Sequence, residues 1–226
     1  MSDLIAEQYA RLLDSLPADD PWPALEESGF LDLLTADAGL TLEEVFPLAL
    51  ATGAKAGAPD VLQAMAARAA DPVPRALAAT LAAGEMAGAM QVVQALTADY
   101  ALTRKQFGRE IGRFQAVQHQ IAVLAEEAMA ARMAAQAAFV GAPMEVSERR
   151  AASAKIRCNQ AAGRVSAIAH AVHGAIGVSD EYVLHRLTRR LRALSLAHGG
   201  ESWWARRLGD WALQDPRDFT SLARAL

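Results

Sequence analysis

Between residues 114 and 128 the apolar positions Phe114, Val117, Ile121, Leu124 and Ala128 recur at alternating steps of three and four, which lays them along one stripe of a helix. Ala161, Val165, Ile168 and Val172 repeat the device further on. Each stripe needs another helix to cover it, so the two segments are predicted to pack nearly antiparallel in a bundle. Trp204, Leu208 and Trp211 follow the same steps and predict a last helix anchored by its aromatic face. No stretch alternates Val, Ile, Thr or Tyr between Asn-Gly or Asp-Gly turns, while Ala, Leu, Arg, Glu and Met dominate; the predicted class is all-α.

Short helices are expected near residues 2–16, 22–34, 42–54 and 60–70, the third opening on Thr41-Leu42-Glu43-Glu44, a capping-box spacing. Asp71-Pro72-Val73-Pro74 interrupts the pattern, and longer helices are expected beyond it near 75–104, 112–139, 146–174, 179–196 and 200–213. The chain therefore divides, on sequence, into a helical N-terminal region 1–71 and a main bundle 72–226. Gly84 and Gly88 lie one turn apart and predict a close helix contact.

The 226 residues fit one domain with a small appendage. Hydrophobic residues make up 53% and charged residues 21%, which excludes a disordered chain. No uninterrupted apolar run reaches bilayer length and the N-terminus lacks a secretion-signal pattern, so a cytoplasmic location with no membrane span is expected. Cys158 is the single cysteine and predicts packing rather than a disulfide or a Cys-based zinc site. A net charge of −4, with Arg11 the single arginine of the first fifty residues, argues against a nucleic-acid-binding head.

Two motifs carry chemistry. The run Arg104-Lys105-Gln106-Phe107-Gly108-Arg109-Glu110-Ile111-Gly112-Arg113-Phe114-Gln115-Ala116-Val117-Gln118 resembles the acyl-CoA dehydrogenase pattern, in which a long helix ends in Arg-x-x-Phe-Gly and the next opens at Phe-Gln-x-x-Gln. The run from His173 to Arg186, with Gly174, Gly177 and Glu181-Tyr182, resembles the glycine loop of the same family. The resemblance covers roughly residues 75–213, with a weaker likeness around residues 22–30 to the family's N-terminal helices. It implies a C-terminal four-helix bundle of the acyl-CoA dehydrogenase type behind a short helical N-terminal region. It also implies FAD as cofactor: Arg104 and Phe107 would contact the adenine-diphosphate half, Gln115 would hydrogen-bond the cofactor, and Gly174 and Gly177 would permit close approach. In the family these groups reach across a subunit interface. A guanidinium suits the diphosphate because it offers paired donors.

The sequence also departs from the pattern. The family's β-rich middle domain has no counterpart between the N-terminal helices and the bundle. The position of the usual catalytic glutamate falls on His198, and the alternative position, about ten residues before Gly88, is Ala78. Glu85 and Glu201 are nearby substitutes, although Glu85 also reads as a helix-surface charge and Glu201 as a first-turn residue. The glutamine that usually precedes the glycine loop is Ala171. His170 and His173 stand three apart but lack further ligands for a metal. Arg186, Arg189, Arg190 and Arg192 predict a basic helix face.

These features predict an oxidoreductase subunit acting on an acyl-CoA and sharing FAD with a partner, either a fuller acyl-CoA dehydrogenase homologue or a second copy. Heteromeric members of this kind act on bulky thioesters, including steroid side-chain derivatives. The competing expectation is a non-catalytic helical interaction protein derived from the same family.

Overall fold

A computed structural model describes residues 2–217 and 220–221. Nine α-helices carry the described chain: α1 (Ser2–Ser15), α2 (Trp22–Glu27), α3 (Leu42–Ala54), α4 (Val61–Ala69), α5 (Arg75–Thr103), α6 (Gln115–Ala138), α7 (Glu148–His173), α8 (Leu184–Leu196) and α9 (Glu201–Gln214). The all-α class holds, with one small addition. Strands β1 (Lys105–Gln106) and β2 (Arg109–Glu110) pair antiparallel as a ribbon between α5 and α6.

Several expected helices are shorter than their apolar pattern. The second stops at Glu27 because Gly29 takes φ 73°, and only a 3-10 turn follows at Phe30–Asp32. The helix expected from residue 179 starts at Leu184, since Gly174–Val178 forms a 3-10 turn and Ser179 is extended. At α3 the expected cap is present: the Thr41 backbone N–H donates to Glu44 Oε2 at 3.0 Å.

Helix α5 is the axis. It has the length and composition of a membrane-crossing helix, yet 89% of its most apolar window is buried within the protein. Helices α6 and α7 cover one side, and the predicted stripes meet there: Leu124, Ala128, Ala161 and Val165 enter the main core, while Phe114, Val117 and Ile121 pack around Ala101, Ile111 and Val172. Glu127, almost buried on α6, accepts from Arg157 at 2.5 Å and Arg164 at 2.6 Å, fastening α6 to α7. Cys158 is buried, its Sγ 3.5 Å from the Ala131 carbonyl oxygen, and its thiol is pushed up to about 12 by burial.

On the other side α3 crosses α5 with backbones in contact. A Cβ on Gly53 would lie 1.8 Å from the Glu85 carbonyl oxygen, and one on Gly88 would lie 2.1 Å from that of Leu50. Only glycine fits at such a crossing. Tyr9 of α1, fully buried, pairs with Thr52 Oγ1 at 2.7 Å. Because Thr52 gives its own proton to the Leu48 carbonyl, the Tyr9 hydroxyl is the donor. Residues 70–74 join α4 to α5 directly, and one core runs from Tyr9 to Leu194.

Trp204 is buried against Ala79 and Ala152, with Leu208 and Trp211 beside it, as the aromatic spacing of α9 predicts. Two charges differ from expectation. Glu85 is not a surface charge: it is 1% exposed and accepts from Arg190 Nε at 2.5 Å. Arg190 therefore leaves the basic face of α8 and turns inward, where it also meets Asp60 at 2.6 Å. Burial pushes the Glu85 carboxyl up, against the opposing pull of Arg190.

Candidate functional site

The chemistry collects at the two ends of α5. At its C-terminal end the helix stops at Arg104, which is already extended at φ −71° and ψ 123°. The chain then makes the β1–β2 ribbon, whose two-residue turn is Phe107-Gly108. Both residues have positive φ, 53° and 79°, as a turn matched to strand twist requires. Glycine accepts this geometry freely, whereas Phe107 is held in a costly conformation with its ring 91% exposed. The ring stands edge-on to Phe114 at 6.2 Å, and the Arg109 guanidinium lies 4.3 Å over the Phe114 ring.

Behind the ribbon, α7 ends at His173 and turns on Gly174, whose φ of 64° and ψ of −143° suit a residue without a side chain. The turn is braced from within. His173 Nδ1 lies 2.8 Å from the Ala169 carbonyl oxygen, which can only accept, so Nδ1 carries the proton. The Tyr182 hydroxyl donates to Nε2 at 3.2 Å, and Tyr100 stacks on the imidazole at 4.4 Å. Burial lowers the His173 pKa, in keeping with a neutral ring.

A cavity of about 480 Å³ lies between the two elements, lined by Arg104, Gln106, Tyr100, Ala171, His173 and Gly174, among others. The two sequence motifs thus converge on one space. No acidic side chain pairs with Arg104 among the described residues, so its guanidinium is free for an anionic ligand, and a Cβ on Gly174 would meet nothing within 4 Å. These features fit an extended anion such as a diphosphate. The other three predicted residues sit apart from the cavity lining, Phe107 exposed on the ribbon turn. Gln115 is exposed at the first position of α6, and Gly177 is buried where a Cβ would come within 2.9 Å of His173 Cβ. Tyr100 and His173 were not singled out as site residues. Tyr100 lies four residues before Arg104, the spacing of one helix face, and that was the available signal.

At the N-terminal end of α5, Ala78 and His198 line one crevice of about 500 Å³ with Gln63, Val73, Arg75 and Gly199. The two positions expected from the resemblance to hold a catalytic carboxylate thus share one crevice, and no carboxylate lines it. His198 is half-buried with φ 55°, and its carbonyl accepts from Trp204 Nε1 at 3.1 Å. Its pKa is lowered by burial first and then by Lys155. Lys155, fully buried, holds the end of α8 that launches this loop: Nζ donates to the carbonyls of Leu194 at 2.7 Å and Ser195 at 3.2 Å and to Asn159 Oδ1 at 2.9 Å. Burial lowers its pKa to about 8. Glu85 and Glu201 do not line the crevice; Glu85 is bound to Arg190, and Glu201 accepts from Gln160 on the surface.

A guanidinium and a glycine turn lining one cavity, with an exposed aromatic turn nearby, mark one edge of this all-α bundle. The family pattern described as acyl-CoA dehydrogenase, C-terminal domain, matches residues 76–211, more than half of the sequence, and the chain belongs to the acyl-CoA dehydrogenase family. It is 36% identical over 101 residues to 3-sulfinopropanoyl-CoA desulfinase of Paraburkholderia xenovorans, a match covering 45% of this chain and 26% of that protein. It is 30% identical over 138 residues to acyl-CoA dehydrogenase FadE27 of Mycobacterium tuberculosis, covering 53% of this chain and 35% of the relative. The chain thus spans about a quarter to a third of the length of these curated relatives. Among solved structures it superposes on the ChsE4-ChsE5 complex from Mycobacterium tuberculosis with a TM-score of 0.60 and 27% identity, over 63% of this chain and 39% of the other.

Proposed function

We propose that the chain is a subunit of an FAD-dependent acyl-CoA dehydrogenase, an oxidoreductase that introduces an α,β double bond into an acyl-CoA thioester. In this reading it supplies one side of a flavin site across a subunit interface, and a fuller acyl-CoA dehydrogenase homologue, or a second copy, supplies the other. The observation that carries the reading is Arg104: a cation without an acidic partner, set beside the open Gly174 turn, with the Phe107 ring 91% exposed on a strained turn next to it. An exposed aromatic held at a conformational cost is a contact surface rather than a folding element.

FAD, if bound here, would supply a hydride acceptor for the β-carbon. Arg104 would pair with the diphosphate, the Phe107 ring would meet the adenine half, Gln115 would donate a side-chain hydrogen bond, and Gly174 would admit the cofactor at backbone distance. Gly177 serves by letting the turn pack on α7. The α-proton requires a base, and neither Ala78 nor neutral His198 resembles the family's carboxylate, so the partner supplies it. The likeness to a structure that is itself a complex of two chains, ChsE4-ChsE5, supports a heteromer.

The absence of a carboxylate in the crevice also favours a second reading, a helical interaction protein that keeps the bundle without the chemistry. A visible spectrum separates the two. The chain is purified alone and with candidate acyl-CoA dehydrogenase partners; flavin retained by a complex, and lost on Arg104→Ala, is the expected result. Equal flavin retention by the Arg104→Ala complex overturns the assignment of Arg104, and flavin retained by no combination establishes the second reading.

A further inference from the structure

The crevice at the N-terminal end of α5 has a charge character that the proposed function leaves unused. Three polar groups line it without a full set of partners. The Arg75 guanidinium has no ion pair or hydrogen bond among the described residues, and is steadied only by lying 4.6 Å over the Trp203 ring. The His198 imidazole has no hydrogen-bond partner there either. Gln63 gives one amide N–H to the Ala78 carbonyl at 3.3 Å and leaves the rest of its amide free.

No carboxylate lines this space. Asp60, which precedes α4, is paired with Arg190 at 2.6 Å. Burial first, then Lys155 behind the loop and Arg75, lower the His198 pKa, against the opposing pull of Asp60. The side chain at residue 78, an alanine, takes up little room and leaves the space open.

The loop that carries His198 is over-determined. His198 stays at φ 55°, a left-handed region that is costly for a residue with a side chain. Gly199 follows with φ 102°, and a Cβ there would lie 2.7 Å from Trp204 Nε1. Trp204 Nε1 itself donates to the His198 carbonyl at 3.1 Å, and Lys155 fixes the helix end just before. Strain sustained by this many contacts holds the imidazole at the mouth of the crevice.

We propose that this crevice binds the negatively charged end of a carboxylate-bearing acyl group, with Arg75 as the principal partner and His198 as the second donor. The inference rests on the proposed function for the thioester part of the ligand; the carboxylate part rests on the unpaired Arg75 and His198 side chains in a crevice that no carboxylate lines. A cation with free donors in a partly enclosed space gains most from an anion that brings its own paired oxygens.

Calorimetric titration of the full chain with succinyl-CoA and butyryl-CoA tests it, because the two thioesters share the CoA phosphates and the chain length and differ in the carboxylate. Succinyl-CoA is expected to bind about tenfold more tightly, the worth of one charge-assisted hydrogen bond. Arg75→Gln is expected to remove that preference and leave butyryl-CoA binding unchanged; His198→Asn, which tolerates the same backbone, is expected to reduce it in part. Equal binding of the two thioesters overturns the proposal. So does an Arg75→Gln variant that weakens both alike, since the anion recognised is then a CoA phosphate. The titration needs no flavin. A complex that never retains flavin therefore leaves the succinyl preference readable, and a complex that retains flavin without the preference refutes this inference alone.

Discussion

The two ends of α5, about 43 Å apart on a helix of 29 residues, have been treated differently. At the C-terminal end Arg104 and the Gly174 turn line one cavity, with the exposed Phe107-Gly108 turn beyond it. At the N-terminal end Ala78, His198 and Arg75 share a crevice that no carboxylate lines. The two ends are structurally separable along a single helix, because each is braced by its own contacts: His173 and Tyr182 at one, Trp204 and Lys155 at the other.

The comparison depends on α5 acting as a rigid rod, so the strongest test attacks its middle. Gly88→Val drives a side chain into the Leu50 carbonyl and should cost at least about 3 kcal/mol in urea unfolding, disturbing both ends together. Glu85→Gln removes the buried partner of Arg190 and should cost about 2 kcal/mol, with Asp60 retaining part of the pairing. The same measurement with His198→Gly should show a gain of about 0.5–1 kcal/mol, because glycine adopts a φ of 55° without strain, while the thioester preference declines.

Acid sharpens the contrast further. The folded-state pKa values of His173 and His198 both lie below the ordinary value, chiefly through burial. The unfolded chain therefore takes up protons first as pH falls through about 6.5, and stability drops from pH 7 downward. His198→Asn should flatten that fall in unfolding curves recorded at several pH values. Smallest of all is the stability effect of Arg104→Ala, expected within about 0.5 kcal/mol of the parent, since the side chain is exposed and unpaired. A larger loss would mean that Arg104 serves the fold, and that the two ends are less distinct than drawn.

Most of the fold is legible in the residues. The apolar stripes of α6 and α7, the Trp204-Leu208-Trp211 face and the Thr41 cap each follow from local spacing, which fixes the side of a helix that must be covered. Helix starts were harder, because Gly29 and Gly174 stop helices through backbone conformations that a hydrophobic pattern does not encode. Arg104 and Gly174 were visible as a pair only through family likeness; their meeting across 70 residues is a tertiary fact. Glu85 shows the limit most clearly. A glutamate in an alanine-rich helix reads as a solvent charge until the partner is known, and Arg190 lies 105 positions away.

The crossing of α3 and α5 has a bearing on descent as well as on shape. Where backbone lies on backbone, neither helix can accept a larger residue first and wait for the other to yield, since any intermediate is already folded badly. Gly53 and Gly88 are therefore closed to stepwise drift, whereas Ala78 and His198 border a crevice and can change one at a time. Lineages carrying this bundle should preserve the seam between the first helices and the axis long after the identity of the crevice has been rewritten.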